Sequence, residues 1–93
     1  MGKFIVIIEP SAEVEIKIHI KSGNKEIIKN LEKIIIELSE TPYSGIGNPE
    51  ELKHNLAGYW SKRISQKDRL FYRVDENIVS VFIIAALGHY SDK

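Results

Sequence analysis

The most informative absence from this 93-residue sequence is that of cysteine. Without cysteine, the chain forms neither disulfide bonds nor thiolate metal sites, which fits a reducing compartment. An excess of charge of one sign is also missing, because 13 Lys and Arg balance 13 Asp and Glu. Global charge therefore gives no reason to expect nucleic acid binding, and any such argument must rest on where the charges lie.

Long hydrophobic runs are missing as well. The apolar run at residues 4–8 is far too short to cross a bilayer, and it lacks the basic region and the cleavage site of a secretion signal. We therefore expect a cytoplasmic protein with no membrane partner. Hydrophobic residues make up 43% and charged residues 28% of the chain, and this length and composition predict one globular domain over residues 1–93.

The hydrophobic pattern predicts an α+β protein. Residues 4–8 are apolar and β-branched and read as a short strand, whereas apolar residues recur at helical spacing over residues 25–39. Two strands follow at residues 59–65 and 69–74, with a link short enough for a hairpin. The nearly all-apolar residues 78–87 predict a central strand that is buried on both faces.

Residues 13–20 fit two structures. Four apolar residues alternate strictly with charged residues and His19, and this period of two favours a strand. In contrast, Ser11 after Pro10 is suited to cap a helix, and Glu13 and Glu15 suit its first turn. The residues alone slightly favour the strand.

Basic residues concentrate in residues 53–73. They are Lys53, Lys62, Arg63, Lys67, Arg69 and Arg73. Asp68 is the only acid in this window, which therefore carries about five net positive charges. Strand alternation places Arg69 and Arg73 on one face with Phe71 between them, and it places Arg63 and Lys62 on opposite faces of their strand. Such a face resembles a surface for RNA phosphates and bases, but a solvated face with cross-strand charge pairs explains the pattern equally well.

Titratable groups also cluster at a loop end and at the chain end. A carboxylate such as Glu50 is suited to take the proton of a ribose 2′-hydroxyl, a histidine such as His89 to protonate the leaving 5′-oxygen, and arginines to hold the phosphorane charge. Purely structural roles are simpler: Glu50 as a helix-start carboxylate, His89 as a terminal residue and Tyr90 as an apolar plug. Spacing alone favours these structural roles. The three histidines, at positions 19, 54 and 89, lack zinc spacing, so we assign no metal and no cofactor.

The second half of the chain contains an ordered series of short motifs. They are Thr41-Pro42, Gly45, Gly47, Pro49-Glu50, Leu52-Lys53-His54-Asn55-Leu56, Gly58, Trp60-Ser61, Arg63-Ile64, Arg69-Leu70, Tyr72 and His89-Tyr90. In this order and spacing they resemble the YoeB toxins of the RelE superfamily, over slightly more than half of the chain. The chain departs from the family pattern at Leu87-Gly88, where relatives often carry an arginine and an aromatic residue, and in the three residues that follow Tyr90.

The resemblance implies a toxin of a bacterial toxin–antitoxin pair, which cleaves mRNA in the ribosomal A site and is neutralised by a cognate antitoxin. It implies Glu50 as general base, His89 as general acid, Arg69 as the stabiliser of the transition-state phosphate and Tyr90 as the residue that orients the scissile linkage. It places Lys53, His54 and Arg63 at RNA-binding positions, to which the basic pattern adds Lys62 and Arg73. A homodimer is a further possibility for this family.

The resemblance also implies the fold: a RelE-like N-terminal strand and two helices packed on a mostly antiparallel four-stranded sheet. It makes residues 12–21 a helix, against their period of two, with Ala12, Ile16 and Ile20, or else Val14 and Ile18, as its buried stripe. The alternative function is a RelE-fold binding protein with weak or absent catalysis, which acts through an antitoxin or ribosome partner.

Overall fold

The computed structural model describes residues 3–53 and 56–88. Its elements are β1 (Ile5–Ile8), α1 (Pro10–Ser22), α2 (Lys25–Leu38), β2 (Glu50–Glu51), β3 (Tyr59–Arg63), β4 (Arg69–Asp75) and β5 (Ser80–Ala85). The strands form one sheet in the order β1-β5-β4-β3-β2, in which β1 is parallel to β5 and the other neighbours are antiparallel. The expected α+β fold is confirmed, with five strands instead of four. The additional strand β2 has only two residues, too few to show any periodicity in the sequence.

Helix α1 is confirmed, as the family resemblance implied and against the strand-like period of two in its sequence. Pro10 occupies its first turn, where the missing N–H costs nothing. Ser11 does not cap the helix because it lies inside it, and its Oγ donates to the Ile84 carbonyl oxygen. The expected buried stripe is only partly right. Ala12 and His19 are buried, whereas Ile20 is 53% exposed. The other expected stripe, Val14 and Ile18, is also exposed, because the helix turns the face of Ala12, Ile16 and His19 inward.

Helix α2 follows its sequence closely. The Asn24 side chain accepts hydrogen bonds from the backbone N–H groups of Glu26 and Ile27, which satisfies two donors that a helix start leaves unpaired. Its buried stripe, Leu31, Ile34 and Leu38, packs against the sheet. The predicted helix is therefore confirmed to within one residue of its end.

Two strands of the meander, β3 and β5, are shorter than the sequence predicts. Strand β3 ends at Arg63 because the N–H groups of Ile64 and Ser65 both donate to the Asp68 carbonyl oxygen, which makes a five-residue loop. Strand β5 lies between β1 and β4, as expected of an inner strand. It is not buried on both faces, since Phe82 remains partly exposed.

The two faces of the sheet differ sharply. The helices cover one face, where Leu70, Tyr72, Val81 and Ile83 join the stripe of α2 in one apolar core. The strand register places the following residues together on the opposite face, which we call the open face: Glu50, Ser61, Arg63, Arg69, Phe71, Arg73 and Phe82. The fold thus gathers most of the described candidate residues on the side that the helices leave free.

Candidate active site

Arg69 is the centre of the open face. Its Nε donates to Ser61 Oγ at 2.8 Å, its Nη2 donates to the Asn48 carbonyl oxygen at 3.4 Å, and the same Nη2 lies 3.6 Å from Glu50 Oε1. The Arg69 side chain is only 14% exposed. Because a guanidinium has five N–H donors, these three contacts fix its plane without exhausting its capacity to bind an anion.

Glu50 supplies the carboxylate next to that guanidinium. It opens strand β2 and pairs in register with Ser61, which places its side chain on the open face near Arg69. The Glu50 side chain is 69% exposed and therefore accessible to a ligand. Glu50 and Arg69, to which the family resemblance assigns roles in one reaction, thus lie side by side. The helix-start role considered for Glu50 is wrong because it starts a strand.

The loop before Glu50 follows the backbone of β3 at close range. Gly47 has φ +84°, and its carbonyl oxygen accepts from the Arg63 N–H at 2.6 Å. A Cβ at this position would lie 2.9 Å from Lys62 Cβ, so only glycine fits without movement. Asn48 follows with φ 55°, a left-handed conformation that asparagine tolerates, and its carbonyl oxygen reaches Arg69.

Lys62 does not belong to the open face, and the expectation that it contacts RNA is not supported. Its side chain is fully buried, and Nζ lies 3.2 Å from Glu37 Oε1 and donates to the Ser44 carbonyl oxygen at 2.8 Å. Glu37 Oε1 also accepts from the Ile46 N–H at 2.8 Å. Lys62 therefore anchors the loop that leads to Glu50, in agreement with its place opposite Arg63 on the strand.

The other described basic candidates differ in their surroundings. Arg63 is exposed and lies directly across from Arg69 in the β3–β4 register. Arg73 is half-buried, with its guanidinium 4.1 Å from the centre of the Phe82 ring, a cation–π contact that orients it on the open face. Lys53 is exposed and follows Glu50 by three residues. The structure thus brings Arg63, Arg69 and Arg73 to one face.

The remaining candidates, His54, His89 and Tyr90, lie outside the described residues. The last described residue is Gly88, and its position is well defined by two contacts. Its carbonyl oxygen accepts from the Arg69 N–H at 2.8 Å, and its N–H donates to Asp68 Oδ1 at 2.8 Å.

Sequence reasoning missed two residues of this site. Ser61 is fully buried under Arg69, and its hydroxyl accepts the Nε hydrogen bond. The Trp60-Ser61 motif pointed to this position without a role for it. Asn48 contributes only a backbone oxygen, which no side-chain pattern reveals.

Two tyrosines near the loop are held in the protonated form. Burial and the neighbouring Glu76 carboxylate raise the pKa of Tyr43 to about 12, and Tyr43 Oη donates to Glu76 Oε2 at 2.6 Å. Burial also raises the pKa of Tyr72, whose hydroxyl donates to the Pro42 carbonyl oxygen at 2.5 Å. At neutral pH both hydroxyls therefore act as hydrogen-bond donors and not as acids or bases. Tyr72 holds the loop before Glu50 at Pro42, and Tyr43 links that loop to the turn at Glu76.

The described part of the chain also lacks a metal-ligand cluster and a membrane-spanning helix. No three His, Cys, Asp or Glu side chains cluster as metal ligands do among residues 3–53 and 56–88. Neither helix in those ranges has the length and hydrophobicity that crossing a bilayer requires.

Comparison with known proteins places the chain among bacterial toxins. Residues 13–90 match the model of the YoeB-like toxin of bacterial type II toxin–antitoxin systems. Toxin YoeB of Escherichia coli O6:H1 is 45% identical over 67 residues, which cover 72% of this chain and 77% of the relative. Toxin YoeB of Synechocystis is 37% identical over 70 residues, which cover 75% and 79%.

Solved structures agree with this assignment. A YoeB/ParE toxin from Agrobacterium tumefaciens superposes with a TM-score of 0.83 at 28% identity, covering 94% of this chain and all of that one. The toxin in a YoeB–YefM complex from Staphylococcus aureus gives a TM-score of 0.75 at 32% identity, covering 96% of this chain and all of that one. The matching sequence model, the relatives and the shared fold together show that the chain belongs to the YoeB-like toxins of bacterial type II toxin–antitoxin systems.

Proposed function

We propose that this toxin is a ribosome-dependent endoribonuclease that cleaves mRNA at the A-site codon, stops translation and is neutralised by a cognate antitoxin. The observation that carries the proposal is the contact between Glu50 and Arg69 on the open face. An accessible carboxylate lies 3.6 Å from a guanidinium that Ser61 and Asn48 hold in place. Because the proposed target is the ribosome, we propose that the protein acts in the cytoplasm.

The proposed reaction is an internal transesterification. Glu50 takes the proton from a ribose 2′-hydroxyl, the 2′-oxygen attacks the adjacent phosphorus, and Arg69 stabilises the negative charge of the phosphorane. His89 gives a proton to the departing 5′-oxygen, and Tyr90 orients the linkage. The new bond joins the 2′-oxygen to phosphorus, the bond to the 5′-oxygen breaks, and the products are a 2′,3′-cyclic phosphate and a free 5′-hydroxyl. No step in this scheme requires a cofactor.

RNA binding is assigned to the basic residues around the pair. Arg63 and Arg73 share the open face with Arg69, and we propose that they, together with Lys53 and His54, contact the RNA backbone. Lys62 is excluded from this group because its ammonium is buried and paired. Contacts of this kind are expected to weaken with salt, in proportion to the number of phosphates neutralised.

We propose that a cognate antitoxin covers the same face. Carboxylates of the antitoxin would pair with Arg63, Arg69 and Arg73. Its apolar side chains would pack on the partly exposed Phe71 and Phe82. The Staphylococcus aureus relative has been solved in complex with YefM and also as a dimer. Self-association of this chain is proposed on that likeness and is testable by its mass in solution with and without the antitoxin.

The test is to map mRNA ends on stalled ribosomes. Glu50→Gln keeps the shape of the side chain and removes the base, so we expect cleavage to fall by about 10²- to 10⁴-fold while the folded state persists. Glu51→Gln is the matched control, since this neighbouring carboxylate is also exposed but points to the opposite face of β2. Arg69→Lys, which keeps the charge and loses the fork of donors, should also lower the rate.

The alternative, a binding protein without cleavage, is separated by growth. Under the nuclease proposal, inhibition of growth is lost in Glu50→Gln and in His89→Gln. If both variants still inhibit growth as strongly as the wild type, with uncut A-site codons, the toxin acts by binding and the nuclease proposal is wrong.

A further inference from the structure

The backbone just beyond β5 is held by side chains from distant parts of the chain. Glu15 Oε1 accepts from the N–H groups of Ala86 and Leu87, at 2.6 and 3.1 Å, and His19 Nε2 lies 2.7 Å from the Ala86 carbonyl oxygen. Since a carbonyl oxygen only accepts, His19 must carry its proton on Nε2 for this bond. The strand ladder ends at Ala85, and at Ala86 and Leu87 these side chains supply hydrogen-bond partners for the backbone.

A second anchor holds the end of the same segment, at Gly88. Asp68 Oδ1 accepts from the Gly88 N–H, and the Gly88 carbonyl oxygen accepts from the Arg69 N–H, both at 2.8 Å. Together these two anchors make five hydrogen bonds to residues 86–88. We call the three side chains Glu15, His19 and Asp68 the backbone clamp.

Helix α1 is oriented to provide this clamp at the expense of apolar burial. Glu15 and His19 are four residues apart and share its inward face, where His19 is 4% exposed. Val14 and Ile18, which are one residue before each of them, are 61% and 49% exposed. Burying polar groups is unfavourable unless they are paired, so the clamp is an arrangement that core packing alone would not select.

The clamp acts on the point where the chain reaches the candidate active site. Gly88 is bonded to the backbone of Arg69, whose side chain contacts Glu50. The next residue in the sequence is His89, the acid of the proposed reaction, and one peptide unit of about 3.8 Å separates consecutive Cα atoms. Fixing the backbone at Gly88 therefore restricts the positions that the next Cα atom can take.

We propose that Glu15, His19 and Asp68 are positioning residues, which fix the backbone at residues 86–88 and thereby deliver the general acid to the Glu50–Arg69 pair. This inference rests on the proposed nuclease function. It assigns no contact with RNA to the clamp itself. Loss of the clamp should therefore lower the rate of the chemical step and leave ribosome binding unchanged.

The first measurement is single-turnover cleavage on ribosomes at increasing toxin concentration. Glu15→Ala should lower the maximal rate by about 10- to 100-fold, because a displacement of about 1 Å at the reacting groups has that effect, with the half-saturating concentration unchanged. Glu15→Gln keeps an oxygen that accepts from both N–H groups and should restore most of the rate. Glu13→Ala is the matched control, since this exposed carboxylate pairs with Lys17 one turn further along the same helix and lies two residues from Glu15, on the opposite side of the helix.

The second measurement is amide hydrogen exchange, which does not depend on cleavage. In Glu15→Ala, the amides of Ala86 and Leu87 should exchange about 10- to 100-fold faster, as expected for the loss of a hydrogen bond to a charged group. Amides of Val81 and Ile83 in the preceding strand β5 should be unchanged. Asp68→Ala provides an independent variant, which should free the Gly88 amide and give the same loss of maximal rate.

The outcomes separate this inference from the function on which it rests. If the wild type does not cleave, both the nuclease proposal and the positioning role are wrong. If the wild type cleaves and a folded Glu15→Ala or Asp68→Ala does so at the same maximal rate, the positioning role alone is wrong. A loss that appears only in the half-saturating concentration also contradicts it, because it would assign the clamp to binding.

Discussion

Replacing Lys62 by methionine tests whether this lysine is a structural anchor or an RNA contact. Methionine keeps the unbranched apolar stem and removes the ammonium, which contacts Glu37 Oε1 and the Ser44 carbonyl oxygen. The Lys62 side chain is fully buried, whereas that of Glu37 is 27% exposed. The change therefore leaves a carboxylate with lost pairing and a carbonyl oxygen with one bond fewer.

The expected magnitude follows from these exposures. Breaking a fully buried ion pair by removing one partner costs about 3–5 kcal/mol, because the other charge remains uncompensated. Glu37 retains its hydrogen bond from the Ile46 N–H and is reached by water, so the cost here should lie lower, at about 2–3 kcal/mol. In a chain of this length, that corresponds to a fall in Tm of roughly 8–24 °C.

Urea unfolding of the wild type, Lys62→Met, Glu37→Gln and the double variant measures this directly. The double-mutant cycle should show a coupling of about 1–3 kcal/mol between the two side chains. Lys67→Met, which removes an exposed lysine of the β3–β4 loop, should change stability by less than about 0.5 kcal/mol. If Lys62→Met is as stable as the wild type but binds RNA with a reduced salt dependence, the structural role is wrong and the ammonium contacts phosphate.

Two further predictions concern the loop before Glu50. Gly47→Ala should destabilise the protein by at least about 1 kcal/mol more than Gly23→Ala, because both positions have positive φ but only at Gly47 would a Cβ meet neighbouring atoms; equal losses in urea unfolding would contradict this. The pKa of Tyr43 is raised to about 12, so its contribution to stability should be complete below about pH 10 and be lost as the pH rises towards 12. The stability difference between the wild type and Tyr43→Phe should therefore shrink over that range, and a difference independent of pH would refute the assignment.

The sequence predicted the larger elements because their signals are local. Helix α2 has the apolar stripe that the helical spacing predicts, and its start is capped locally by Asn24. The strand pattern at residues 69–74 is confirmed as β4 with one additional residue. In these segments one face is buried and the other is not, so the hydrophobic period records the structure.

Helix α1 is the case in which the local pattern was misleading. Its isoleucines and valine recur with a period of two, but the helix buries Ala12 and His19 and exposes Val14, Ile18 and Ile20. The inward polar residues are satisfied only by backbone groups near Ala86, about seventy positions away in the sequence. A window of neighbouring residues contains no trace of such a partner, and the resemblance to relatives was needed to assign the helix.

The candidate site was predictable in part. The family resemblance assigns Glu50 and Arg69 to one reaction, and strand register brings these two sequence positions together. The environment of Lys62 was not, because its burial depends on Glu37, which comes from a different element. Family motifs specify residue types in order, but they do not state which of two charged neighbours faces solvent.

The central claim is that the open face cleaves RNA by attack of a ribose 2′-hydroxyl. The most direct measurement supplies stalled ribosomes with two mRNAs that differ only by a 2′-deoxy substitution at the nucleotide that is cut. We predict cleavage of the all-ribose message to a 2′,3′-cyclic phosphate end, and no cleavage of the substituted message at equal toxin binding. Cleavage of both messages at the same rate, or an unmodified 3′-hydroxyl end, would contradict the account.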